Sequence, residues 1–460
     1  MLIFIVRLLG TCASLAVMSY FSHVLPVKDF GIYQGFWVQI AIPCSVACLG
    51  LTLLIYTYTP ATLHRLIRSL KPAHYLGYAL LLMLIAALFV FMRSGRAGAS
   101  RPGGYIAFLF FVLYVLNTLL EPVLFVARQH RALLFGNTCY ALLFVTAAVT
   151  QQRSGYDFDQ LLAWLLPVAG VRLLLLLRGL LAFLKTRPDT GADPPVNRKH
   201  VLGLWLHLGF YDLSSALIQW IDKVIISFLC SAELAAVYFN GTVNIPFIGM
   251  ALSAVGSATL MQLSTAGAAK EKVRLLREAG SVLSSIAFPL FFLLLAFHTE
   301  FITVVFSGKY LDAVPIFLCS ILVLPVRAYS STSLLQNEHK GSIINMGVLL
   351  DFVLALAIMY PLYLWLGLAG IALSFVVSTY CQFFFYLYHT SRLLQVPAQR
   401  LIPLRNWAYK IALSGLLAWG AHYVLSSCCP DWASLLTGGA VMGTTSLLLL
   451  RRERKQDVKA

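Results

Sequence analysis

"GSIINMGVLLDFVLALAIMYPLYLWLGLAGIALSFVVSTY" (341–380) carries one charged residue, Asp351, in forty positions. A helix needs about 20 apolar residues to cross a hydrocarbon core roughly 30 Å thick. The stretch therefore reads as most of two successive membrane-crossing helices, 343–362 and 367–389. The same pattern recurs towards both ends, with short polar breaks between runs. It predicts spans at 2–22, 32–56, 76–92, 104–127, 132–150, 159–178, 202–228, 234–260, 281–304, 313–334, 407–426 and 432–450, about fourteen in all. The first 22 residues lack a clear small-residue cleavage site and run into a second span, so they read as a retained helix.

Composition agrees. Of 460 residues, 60% are hydrophobic and 11% charged, with a mean hydropathy of +0.82, against roughly 25% charged in soluble domains. The chain reads as an all-α integral membrane protein. No polar block is large enough for a nucleotide-binding or glycosyltransferase domain. The nine cysteines show no metal-ligand spacing, and no cofactor is implied.

The net charge of +16 is what a polytopic protein acquires when its cytoplasmic segments follow the positive-inside rule, so it does not point to nucleic acid. With the amino terminus inside, 25 of the 34 basic residues fall in cytoplasmic segments and adjoining span ends, six fall outside and three within spans. That split predicts cytoplasmic termini and an even number of spans.

The longest polar stretch, "KTRPDTGADPPVNRKH" (185–200), reads as a flexible connector. It separates an amino-terminal half (1–184) from a second half (201–390), followed by two more spans and a basic tail (391–460). Each half shows an acidic residue, a small residue, an aliphatic-tyrosine pair and then a proline: "KDFGIYQGFWVQIAIP" (28–43) and "AELAAVYFNGTVNIP" (232–246). Internal duplication of this kind is a common plan for secondary transporters.

Several segments, as an ordered set, resemble the Wzx-type polysaccharide flippases of the multidrug/oligosaccharidyl-lipid/polysaccharide (MOP) exporter superfamily. They are "PVKDFGIY" (26–33), "WIDKVIISFLCSAELAAVYFNGTVNIPF" (220–247), "FSGKYLDAVPIF" (306–317) and the stretch at 341–380. The resemblance implies two six-helix lobes around a central cavity, two further helices and alternating access. It also implies an undecaprenyl-pyrophosphate-linked oligosaccharide, such as an O-antigen unit of lipopolysaccharide, as substrate in a bacterial inner membrane. The implied partners are that lipid, the bilayer, and polysaccharide polymerase or assembly proteins.

Site residues must come from the chain itself. An ionisable side chain within a span costs roughly 2.5–3.5 kcal/mol on insertion scales and normally faces a cavity or a partner. In the seventh span Tyr211, Asp212, Ser215, Gln219, Asp222 and Lys223 fall within about 120° of one another at helical spacing, which predicts a hydrated wall. The alternative is a helix packed through a hydrogen-bonded network. Arg7 shares a face with Thr11 and Ser14, and Arg327 shares one with Ser320 and Ser331. Both read as inward-facing guanidiniums suited to phosphate, or as side chains snorkelling to the interface. Lys223 is suited to phosphate or to neutralising a neighbouring aspartate. Asp212, Asp222 and Asp351 are candidates for ion coupling. Arg172, in "VRLLLLLRGLL", has no polar face around it and reads as snorkelling. Glu121 reads as a structural partner of Arg128, Tyr33 and Tyr238 as packing residues or sugar-stacking rings, and "RRERKQDVKA" as a solvated tail.

Two other functions compete with the flippase. A cation-coupled drug exporter of the same superfamily would want more acidic than basic groups inside the spans. A membrane polymerase or ligase would want an extended outer loop, and the outer loops here are short.

Overall fold

The computed structural model describes residues 2–94, 101–185, 198–243 and 246–457. The described residues contain no strand. In chain order the α-helices begin with α1 (Leu2–Val24), α2 (Val27–Cys48), α3 (Leu51–Tyr56), α4 (Pro60–Ser69), α5 (Pro72–Ser94), α6 (Arg101–Val126), α7 (His130–Arg153), α8 (Phe158–Lys185), α9 (Arg198–Leu229) and α10 (Ala232–Gly241). They continue with α11 (Pro246–Thr265), α12 (Ala269–Ala296), α13 (His298–Phe306), α14 (Val314–Ile321), α15 (Ser333–Asn337), α16 (Gly341–Leu366), α17 (Leu368–Leu394), α18 (Ala398–Leu401), α19 (Leu404–Cys428) and α20 (Asp431–Asp457). Every predicted span coincides with one of these helices or with a short series of them.

Eleven helical stretches among the described residues are long and apolar enough to cross a membrane. The other three predicted spans correspond to α1, to α2 with α3, and to α10 with α11, where α1, α2 and α11 have 23, 22 and 20 residues. On α5 the side chains of Leu80, Leu84, Leu88 and Phe91 are exposed, while Leu82, Ile85, Ala86 and Phe89 are buried. One face suits lipid and the other protein. Packing between such helices rests on close contact rather than on exclusion of water, because lipid tails are as apolar as leucine.

The chain divides into two compact units, Met1–Ala236 and Val237–Ala460. The first groups α9 with α1–α8. Its core holds Phe21, Phe30, Phe36, Phe110 and Phe111, all at most 2% exposed, and Leu124, Leu133 and Leu176 join α6, α7 and α8. The two copies of the repeated motif meet here, since a Cβ on Gly31 would fall on the Ala232 carbonyl. The connector expected at 185–200 lies outside the described residues at 186–197.

Four predicted spans are interrupted, the eighth (234–260) being divided between α10, which ends at Gly241, and α11, which begins at Pro246. The second ends as α2 at Cys48, turns through Leu49 and Gly50, both in left-handed conformation (φ 48° and 68°), and resumes as α3. Glycine is required at position 50 twice over: its φ is positive, and an added Cβ would lie 2.5 Å from Gly209 Cα on α9. The ninth span is offset at Phe297 between α12 and α13. The tenth, expected as one helix over 313–334, is broken. A 3-10 turn (Gly308–Ala313) leads into α14, a second one (Val326–Ala328) follows Pro325, and α15 ends the segment. Proline has no N–H to give to a helix and its ring clashes with the preceding turn, which accounts for the break at Pro325.

Candidate functional site

α9 lies along the α2–α3 break. Trp205 Nε1 donates to Leu49 O at 2.7 Å, Gly209 packs against Gly50, and Asp212 accepts from Ser45 Oγ at 3.4 Å and from the Gly50 backbone N–H. These three residues recur at i, i+4 and i+7, so one helix face serves the break. Along the predicted stripe Tyr211 and Gln219 are exposed, Asp212, Ser215 and Lys223 are half-buried, and Asp222 is buried. Lys223 Nζ lies 3.3 Å from Asp222 Oδ2, and its ammonium sits 6.0 Å from the Trp220 ring centroid. The stripe is thus an anchored upper part and a charge-paired lower part, with Gln219 accessible between them. Arg7 is on α1 and its side chain lies outside the described residues.

In the second unit Asp351, on α16, is buried and accepts from Ser378 Oγ of α17 at 2.5 Å. Arg327 is exposed on the 3-10 turn after Pro325 and interacts electrostatically with Asp351. The predicted face shared by Ser320, Arg327 and Ser331 needs a continuous helix. It does not exist, because α14 ends at Ile321. What accompanies Arg327 instead is a carboxylate from another helix.

Arg172 does not snorkel. Its Nη2 donates to Glu121 Oε2 at 2.8 Å and to Asn137 Oδ1 at 2.7 Å, and its guanidinium lies 4.8 Å from the Tyr140 ring centroid. Glu121 accordingly belongs to Arg172 rather than to Arg128. From Tyr140 a run of rings continues through Phe144 (5.8 Å), Trp37 (6.2 Å) and Tyr114 (6.0 Å). Tyr140, Trp37 and Tyr114 are half-buried, whereas Phe144 is buried. α2, α6, α7 and α8 thereby bring a guanidinium, a carboxylate, an amide and several aromatic faces together inside the first unit. Tyr33, at 4% exposure, and Tyr238, at 0%, are packed away. A separate cleft of about 230 Å³ between α2, α5 and α9 is walled by Ile42, Ile85, Leu88, Phe89 and Phe228, with Gln39 and Arg93 among its polar residues.

Lys410 is 1% exposed on α19. Its ammonium contacts Ser281 O at 2.6 Å, Ser284 Oγ at 3.1 Å and Glu453 Oε1 at 3.0 Å, and Asn406 Nδ2 donates to Glu453 Oε1 at 3.0 Å. The tail expected to be solvated therefore continues α20 as far as Asp457, with Glu453 8% exposed. Residues 458–460 lie outside the described residues. Among the described residues no three His, Cys, Asp or Glu side chains group as a metal site.

No protein-family profile and no curated protein sequence matches the chain. Solved structures do. The lipid II flippase MurJ in an inward closed conformation matches with a TM-score of 0.66 at 12% identity, covering 99% of this chain and 98% of that one. An inward-facing multidrug-resistance MATE transporter of the MOP superfamily gives 0.59 at 15% identity, over 84% of this chain and 96% of that one. A MOP-superfamily transporter from Pyrococcus furiosus, described as having a binding pocket of reversed polarity, gives 0.52 at 15% identity over 85% and 94%. The fold is that of the MOP-superfamily transporters. Wzx-type substrate specificity is a finer matter that the fold does not carry.

Proposed function

We propose that this chain is an alternating-access flippase with fourteen spans and cytoplasmic termini, moving a lipid-linked saccharide, of the undecaprenyl-pyrophosphate class, across a bacterial inner membrane. One observation carries the choice within the superfold: the likeness to the lipid II flippase runs over 99% of the chain, α19 and α20 included, whereas the MATE transporter likeness covers 84%. A flippase performs no covalent chemistry. It needs a water-filled path for a sugar-pyrophosphate head while the polyprenyl tail remains in lipid.

In this reading Arg7, Lys223 and Arg327 supply positive charge along the path, and Asp212, Gln219 and Asp222 line it on α9. Asp351, held by Ser378 and facing the charge of Arg327, is the carboxylate best placed for ion coupling, with Asp212 and Asp222 as further candidates. The test is translocation of a fluorescent undecaprenyl-pyrophosphate saccharide in proteoliposomes, at matched protein abundance. Arg7→Gln, Lys223→Gln and Arg327→Gln should each lower the rate. Parental rates in all three would withdraw the cationic path. Export of a cationic dye in place of the lipid would move the drug-exporter reading to first place.

A further inference from the structure

Two ion pairs among the described residues, Lys410–Glu453 and Arg172–Glu121, differ in kind. Lys410 is sealed, and three oxygens surround its ammonium. Arg172 is open. Its side chain is 14% exposed and that of Glu121 28%. Its bonds to Glu121 and Asn137 both leave from Nη2, while Nε is buried with no hydrogen-bond partner. The carboxylate meets the guanidinium through one oxygen rather than two. A guanidinium is a fork built for two parallel bonds, and phosphate oxygens can fill it where this carboxylate does not. Tyr140 sits against the guanidinium at 4.8 Å, as cation–π contact favours.

Resting on the flippase reading, we propose that Glu121 holds the place of the substrate's pyrophosphate: Arg172 exchanges the carboxylate for phosphate, and the half-buried rings of Tyr140, Trp37 and Tyr114 receive the first sugars. The order of groups suits such a ligand. Arg172 is mid-way along α8, and beside it the rings of Tyr140, Phe144, Trp37 and Tyr114 follow one another at centroid spacings of about 6 Å. Aromatic faces take the apolar C–H faces of sugars, and Trp and Tyr also carry a polar handle. Glu121 keeps the guanidinium from being left unpaired in the membrane interior when no substrate is bound.

The exchange predicts opposite signs for the two partners of one ion pair. The full-length protein in nanodiscs is titrated with undecaprenyl pyrophosphate and with the same lipid bearing one N-acetylglucosamine. Glu121→Gln removes the competitor and should tighten binding of both lipids by about tenfold, whereas Arg172→Lys should weaken both by about tenfold. Trp37→Leu should weaken the sugar-bearing lipid more than the bare one. Shifts of Glu121→Gln and Arg172→Lys in the same direction, or no shift in either, overturn the exchange and make the pair structural. If the parental protein binds neither lipid, the flippase reading itself falls. Should the variants not fold, phenylglyoxal labelling of Arg172 in the parental protein decides. Protection by the saturating lipid supports the exchange, and unchanged labelling overturns it.

Discussion

Lys410 on α19 and Glu453 on α20 meet at 3.0 Å, and Lys410, with Asn406 beside it, bonds to the α12 segment 281–284. The final two helices are thus tied to α12 by a buried charge pair, reinforced by Trp407 Nε1 donating to Gly280 O at 3.2 Å and Ser446 Oγ to Ser285 O at 2.7 Å. Removing one partner of a buried pair strands the other's charge, which costs about 3–5 kcal/mol, whereas replacing both with apolar residues is often near neutral. Lys410→Met is expected to lower the thermal midpoint of the detergent-solubilised protein sharply, and Lys410→Met with Glu453→Met to recover most of the loss. A double variant no better than the single would show that the charges are not the tie.

The approach of Gly50 to Gly209 sets a second expectation. Gly50→Ala meets both a positive φ of 68° and the α9 backbone at 2.5 Å, so it should destabilise by more than about 1 kcal/mol. Gly209→Ala meets Leu49 O at 2.9 Å in ordinary helix and should be milder. Unfolding midpoints of the two single variants give the ranking.

Outside the spans, Lys272 Nζ donates to Glu338 Oε1 at 2.6 Å. That hydrogen bond, more than any other influence, holds the Glu338 carboxyl below its usual 4.5. A carboxyl with a depressed folded value stabilises the protein above the unfolded value and loses that contribution as pH falls through the lower, folded one. The parental thermal midpoint should therefore drop more steeply than that of Glu338→Gln as pH is lowered from about 5 to about 3. Parallel curves would show that the pair contributes nothing.

Topology can be read at the cysteines. Cys428 is exposed at the end of α19, whereas Cys44 and Cys48 are buried in α2. In intact cells an impermeant maleimide should label Cys428, while an epitope placed after Ala460 stays unreachable until the membrane is opened. Access to the epitope from outside would invert the orientation.

How much of this the sequence discloses depends on whether a signal is local. Hydropathy found the helices, because each span is a property of consecutive residues. Periodicity on α9 put Asp212 and Asp222 on one face, because a face is set by spacing along a single helix, but it did not disclose that Asp212 is held by Ser45 and Gly50 from the α2–α3 break. It could not find the setting of Arg172, whose neighbours along α8 are leucines. Glu121 and Asn137 come from 51 and 35 residues earlier in the chain, and no single-helix wheel joins them. A useful signal was available all the same: an unpaired acid in the fourth span and an unpaired base in the sixth, each improbable alone. Lys410 and Glu453 were hidden differently, since each sits near a span end where a charged residue reads as solvated. For Arg327 the periodicity argument failed outright, because Pro325 ends the helix that the face would need.

The broken tenth span has a mechanical corollary. Backbone groups freed from helical bonding are tolerated at membrane depth only against protein or water, and Tyr380 OH of α17 answers one of them by donating to Leu322 O at 3.1 Å. Pulling α14 from α17 would leave that carbonyl to hydrocarbon. That bond joins the end of α14 to α17, and any motion that parted the two elements would have to break it.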